Sequence, residues 1–134
     1  MRYVLDASVA VAAVRPNEPT HAAARARVAG VLQGVDQLVV PVLFRIEVAA
    51  ALARAGWSAA SIDGYVDTLT RPPCELVMLG PKRARRIQRT AVQTRLRAAD
   101  TCYVWLASRE AVPLVTSDRE VLLRGAALCL VLPP

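Results

Sequence analysis

At 134 residues and 54% hydrophobic content, the chain has the length of one domain and enough apolar material for a sizeable core. Its apolar runs, such as Val9–Val14 and Leu38–Phe44, fall far short of the roughly 18 residues a membrane span needs. With His21 as the single histidine, a two-histidine ribonuclease mechanism is excluded, and neither a zinc site nor a Ser/His/Asp triad is well supplied. Seventeen basic residues against eleven acids give a formal charge of +6, and all the basic residues except Lys82 are arginine, whose planar fork suits phosphate. A polyanionic partner is therefore expected. Asp6 follows Arg2 too closely for a secretory signal, so a cytoplasmic location is expected. Cys74, Cys102 and Cys129 are odd in number and form no C-x-x-C pair, which predicts buried, reduced thiols.

The chain opens on a β-type run, Arg2–Leu5, that ends at Asp6 and gives way to a helical stretch, Ser8–Val14. Pro19 opens a second helix, Pro19–Leu32, and Gly34 closes it. A strand at Gln37–Val40 follows, then a helix at Val42–Ala55 ending before Gly56. Ser58 stands in capping position for Ala59–Leu69, which Arg71, Pro72 and Pro73 must break. A strand at Glu75–Leu79, helices at Pro81–Thr94 and Ala98–Ala111, and strands at Pro113–Thr116 and Leu128–Leu132 complete the pattern. Such alternation predicts an α/β domain, a mainly parallel central sheet flanked by helices, as one unit over residues 1–134. There is no internal repeat and no linker long enough to divide it.

Four carboxylates stand in unusual surroundings. Asp6 and Asp118 each end an apolar strand, and in open parallel sheets the strand carboxyl ends border the ligand crevice. Either residue taken singly also suits a helix cap. Glu47 lies in VLFRIEVAAAL, a stretch apolar nearly all round, which predicts a mostly buried helix. Its neighbours at three and four residues are Leu43, Phe44, Ala50 and Ala51, none able to neutralise it, so a tertiary partner or a cation is required. Asp100 is similarly placed in AADTCYVWLA, with Arg97 as its one local partner and a helix cap as its alternative role. Burying several unpaired carboxylates costs several kcal/mol each unless a cation shares the site. Oxygen-only ligands select a hard ion, Mg²⁺ with Mn²⁺ as substitute.

With these residues in view the sequence resembles a PIN domain, and within that family the VapC toxins, across essentially its whole length. YVLDASV resembles the family's first strand and Asp, PVLFRIEVAAAL its Glu-bearing helix, LRAADTCYVWLA its third acidic motif, and PLVTSDREVL its last. The resemblance implies a Mg²⁺-dependent endoribonuclease, with Asp6, Glu47, Asp100 and Asp118 as catalytic and metal-binding residues and Ser8 and Thr116 in support. Thr101 departs from the pattern, where a small apolar residue is more usual. The resemblance further implies a homodimer and an antitoxin that wraps a groove of the toxin. Grip on RNA falls to Lys82, Arg83, Arg86, Arg89 and Arg97, the densest basic region, for which a solvated helix face is the plain alternative.

Three rival readings stay open at this stage: a catalytically inactive PIN-like RNA-binding or regulatory module, a PIN nuclease of RNA processing with no antitoxin, and a phospho-accepting receiver domain. The last needs an acidic pair after the first strand and a late lysine. Here Asp6 stands alone there, and Lys82 is the only lysine.

Overall fold

A computed structural model describes all 134 residues. Its elements are β1 (Arg2–Leu5), α1 (Ala7–Ala12), α2 (His21–Leu32), β2 (Gln37–Pro41), α3 (Leu43–Arg54), α4 (Ala59–Thr70), β3 (Glu75–Val77), α5 (Pro81–Thr94), α6 (Ala98–Glu110), β4 (Leu114–Val115), α7 (Arg119–Arg124) and β5 (Val131–Leu132), with a 3-10 turn at Gly125–Ala127. The five strands form one sheet in the order β3-β2-β1-β4-β5, and every pair is parallel. The predicted α/β architecture is the one observed.

The sequence of β1 explains its central place. Tyr3, Val4 and Leu5 are wholly inaccessible to solvent, as continuous apolar runs of a parallel sheet covered on both faces should be. From β1 the chain steps outward through β2 to β3, then returns past β1 to β4 and β5. Right-handed crossovers in opposite directions put helices on opposite faces. Accordingly α1, α2, α3 and α4 pack on one another, whereas α5 packs on α6 and α6 covers β1, β2 and β4. Leu5, Leu38, Phe44, Leu52, Leu69, Leu106 and Leu114 fill the interior between, each contributing about 1.5–3 kcal/mol by burial.

Several local expectations are corrected. The second helix begins at His21, because Pro19 and Thr20 form a turn before it. The last strand is shorter than Leu128–Leu132: the Leu128 and Cys129 amides both turn back to the Gly125 carbonyl and are lost to the ladder. The edge strand β3 stops at Val77, and the next carbonyl, Met78, accepts from Arg83 as the chain turns into α5. Strand β4 covers Leu114–Val115 alone, shorter than the expected Pro113–Thr116, although the Thr116 amide still reaches the Leu132 carbonyl. Gly34 and Gly56 adopt positive φ, 74° and 87°, directly after helices, as helix-ending glycines do. The three cysteines are free but half-buried rather than fully enclosed.

The largest correction concerns α3. Its apolar sequence predicts a mostly buried helix, yet only Phe44, Val48 and Leu52 are enclosed, and Ile46, Ala50 and Ala53 face solvent. The main packing partners of the helix are α1 and α4. Its outer apolar face is a surface of the molecule.

Candidate active site at the carboxyl end of the sheet

Strands β1 and β4 are neighbours, but the chain leaves them in opposite directions, so a crevice opens at their carboxyl ends. Asp6 and Asp118 stand on its two sides. Buried Asp6 caps α1: one oxygen accepts the Ser8 amide at 3.2 Å, and the other accepts the Ser8 hydroxyl at 3.0 Å and the Thr116 hydroxyl at 2.6 Å. Thr116 in turn accepts the Asp118 amide at 3.1 Å, tying the two strand ends together. Asp118 caps α7, one oxygen taking the amides of Glu120 and Val121 and leaving the other toward the crevice. For both residues the capping role and the crevice position coexist on one carboxylate.

Glu47 projects from α3 and Asp100 from α6, so the crevice also gathers one acid from each helical layer. Glu47 is half-buried and has no ion pair; the Tyr103 hydroxyl, from α6, donates to it across the end of the sheet. Asp100 is not a cap. Arg97 occupies that position through its backbone, and Asp100 sits in the first turn, where the helix dipole favours a carboxylate. Arg97 Nε donates to Asp100 at 3.3 Å and its Nη2 to Asp118 at 3.2 Å.

Burial is the main cause that pushes the carboxyls of Asp6, Glu47 and Asp100 above the usual range, and their mutual repulsion adds to it. Hydrogen bonds from Thr116 and Ser8 oppose the shift at Asp6, as the Tyr103 bond does at Glu47. All four acids line one cleft of about 460 Å³, together with Ser8, Glu18, Arg54 and Arg97. No three of these side chains converge closely enough to hold a metal ion as they stand. The donor set is nonetheless entirely carboxylate and hydroxyl oxygen, which suits a hard divalent cation, and such a cation would offset the repulsion among the acids.

A PIN domain family model matches residues 3–127. The chain belongs to the PIN domain family. PIN domains are generally nucleases and typically use divalent metals. The fold is similar to that of PAE2754 from Pyrobaculum aerophilum, with a TM-score of 0.68 and 23% identity over 98% of this chain and 83% of that one. VapBC2 from Rickettsia felis, bound to a DNA fragment from its promoter, also matches with a TM-score of 0.68, at 11% identity over 100% of this chain and 99% of that one. So does FitAB bound to an IR36 DNA fragment, at 0.68 and 13% identity over 100% and 95%. No curated protein matches significantly in sequence.

In this PIN domain the structure gathers Asp6, Ser8, Glu47, Arg97, Asp100 and Asp118 into one cleft, with Thr116 beneath it. Lys82, Arg83, Arg86 and Arg89 are elsewhere. Lys82, Arg86 and Arg89, with Arg85, line a separate groove of about 400 Å³ on α5, and Arg83 is engaged with Met78. Sequence reasoning passed over Tyr103, Glu18 and Arg54. Tyr103 had a signal: it lies three residues after Asp100 in a helix, hence on the same face. Glu18 sits in the turn before α2, paired with Arg15, and nothing in its local sequence sets it apart.

Proposed function

We propose that this chain is a metal-dependent endoribonuclease of the VapC kind, the toxin of a toxin–antitoxin pair, working as one domain over residues 1–134. The observation that carries the reading is the meeting of four carboxylates from four separate elements in one cleft at the switch point of the sheet. A fold held up by such a cleft gains nothing from the repulsion among its acids, so a site for a cation accounts for them better than a structural role does.

Asp6, Glu47, Asp100 and Asp118 would hold Mg²⁺ or Mn²⁺, and the ion would supply charge neutralisation at the phosphate and a lowered pKa for the attacking water. Ser8 and Thr116 fix the orientation of Asp6 by spending their hydroxyl protons on one of its oxygens. Tyr103 fixes Glu47 and leaves its second oxygen without a protein partner. Substrate enters from the open side of the cleft, where Arg54 and Arg97 lie at the rim. Phosphodiester hydrolysis at this site leaves a 5′-phosphate and a 3′-hydroxyl.

The antitoxin would lie on the outer face of α3 and α4. A shallow groove of about 570 Å³, lined mainly by Ile46, Ala49, Ala50, Ala53, Ile62 and Val66, runs along that face, and Ala50 borders the acidic cleft as well. An amphipathic segment laid there passes directly to the carboxylates. The toxin–antitoxin assemblies among the fold's neighbours support a partner of this kind. We further propose that the chain is a homodimer.

The test is incubation of the purified protein with cellular RNA in Mg²⁺, in Mn²⁺ and in EDTA, beside an Asp6→Asn variant. Discrete cuts with 5′-phosphate ends, dependent on the metal and on Asp6, are expected. Intact RNA under both metals, with RNA still bound, would transfer the reading to an inactive RNA-binding module.

A further inference from the structure

Arg97 is the only cation in an ion pair with any of the four cleft carboxylates; Arg54 lines the same cleft and has no acidic partner. Its two contacts use different nitrogens of one fork, Nε to Asp100 and Nη2 to Asp118, and so link the first turn of α6 to the cap of α7. The arginine side chain is itself 74% exposed. Its ion pairs are therefore screened by water and held weakly. The same two carboxylates are half-buried within a cleft whose acids repel one another. A divalent ion in direct contact with oxygen carries twice the charge of a guanidinium and sits closer to the carboxylates. Guanidinium is more weakly hydrated than ammonium, and its fork matches a phosphate as well as a carboxylate.

We infer that Arg97 exchanges partners: its guanidinium occupies Asp100 and Asp118 until a divalent cation displaces it, and the freed fork then takes a phosphate of the RNA strand. The inference rests on the reading that this cleft holds a divalent cation. The residue thereby acts twice. Without metal it bridges two of the four carboxylates, offsets one unit of their negative charge and keeps the cleft from collecting other cations. With metal bound it stands at the rim as a positioning residue for the anionic substrate, anchored by the fixed backbone at the start of α6. Metal loading and RNA grip become coupled through one side chain.

Mn²⁺ titration followed by electron paramagnetic resonance of the free ion, at constant pH and ionic strength, tests the first half. Arg97→Ala should bind Mn²⁺ about three- to tenfold more tightly than the unaltered protein, a gain in line with the loss of two exposed ion pairs. Arg97→Lys, which keeps the charge and loses the fork, should fall between the two. Arg54→Ala removes a charge from the same rim without touching a carboxylate and should stay within about twofold of the unaltered protein. Arg97→Ala binding no more tightly, or Arg54→Ala tightening by as much, overturns the exchange and leaves the nuclease reading intact. Failure of the unaltered protein to bind Mn²⁺ overturns both. The second half is read by fluorescence anisotropy of a short single-stranded RNA in Ca²⁺ and in EDTA. Arg97→Ala should lose more affinity in Ca²⁺ than in EDTA, and equal losses in the two would overturn the phosphate role.

Discussion

The acidic cleft and the basic face of α5 carry opposite charges and are built on opposite principles. In the cleft each acid arrives on a different element, and each carboxylate has a named donor: Ser8 and Thr116 for Asp6, Tyr103 for Glu47, Arg97 for Asp100, the α7 amides for Asp118. On α5, Lys82, Arg85, Arg86 and Arg89 lie within two turns of one helix, line a groove with Pro81, and have no carboxylate partner. One region fixes geometry and the other supplies charge density. Chemistry on a phosphate needs the first, whereas holding a flexible polyanion needs only the second.

Substitutions should divide along that line, and the largest effect belongs to the cleft. Asp6→Asn keeps an acceptor for the Ser8 amide, turns the oxygen that accepts the Ser8 and Thr116 hydroxyls into a donor and removes a charge at the switch point, and kcat for RNA cleavage should fall by about a thousandfold with KM changed little. Replacing Arg85, Arg86 and Arg89 together by Gln should leave kcat at saturation unchanged. It should instead raise KM by about tenfold or more and flatten the dependence of log binding affinity on log salt concentration by about two units. Steady-state kinetics at two or more salt concentrations check both. A triple variant that lowers kcat as severely as Asp6→Asn would show that α5 takes part in the chemistry and abolish the distinction.

Tyr103→Phe sharpens the comparison from within the cleft. The substitution keeps the ring in the core and removes only the hydroxyl that donates to Glu47. Because Glu47 is half-exposed, water can replace the lost donor, and stability should fall by only about 1 kcal/mol in a denaturant titration. Activity should drop further, about tenfold or more, since the carboxylate loses its fixed direction. A stability loss with activity retained would make the hydroxyl a packing detail.

Legibility in the sequence followed the same division. The parallel α/β sheet could be read because β1, β2 and β4 are short apolar runs separated by helical patterns, and Asp6 and Asp118 were visible as the polar residues that end them. Glu47 and Asp100 stood out by their apolar company. What local pattern cannot contain is the path between elements. That Tyr103 of α6 reaches Glu47 of α3, and that Arg97 spans from its own helix to the cap of α7, follows from the order of the strands. The α3 sequence misled for a related reason: an all-round apolar helix reads the same whether a core or another chain covers it. The basic run was legible as charge, but not its separation from the acids.

The smallest effect expected is on stability against pH, and it tests the cleft with no substrate present. Asp6, Glu47 and Asp100 are all raised above the usual carboxylate range, chiefly by burial. A raised folded-state value means that the folded chain takes up these protons more readily than the unfolded chain. Their contribution to stability is therefore full below the ordinary carboxylate values near 4 and is lost as pH rises through the raised ones. Without metal, Tm should climb as pH is lowered from neutrality toward the ordinary carboxylate range. Asp6→Asn has one fewer of these protons to gain and should show a shallower climb. Saturating Mg²⁺ should flatten the profile of the unaltered protein, because the ion offsets the same repulsion that the protons do. The α5 triple variant should keep the unaltered slope, since none of its cations faces the cleft acids. If Tm of the unaltered protein instead falls over the same range, the charged carboxylates are stabilising as they stand, and the cleft loses the repulsion on which the case for a cation depends.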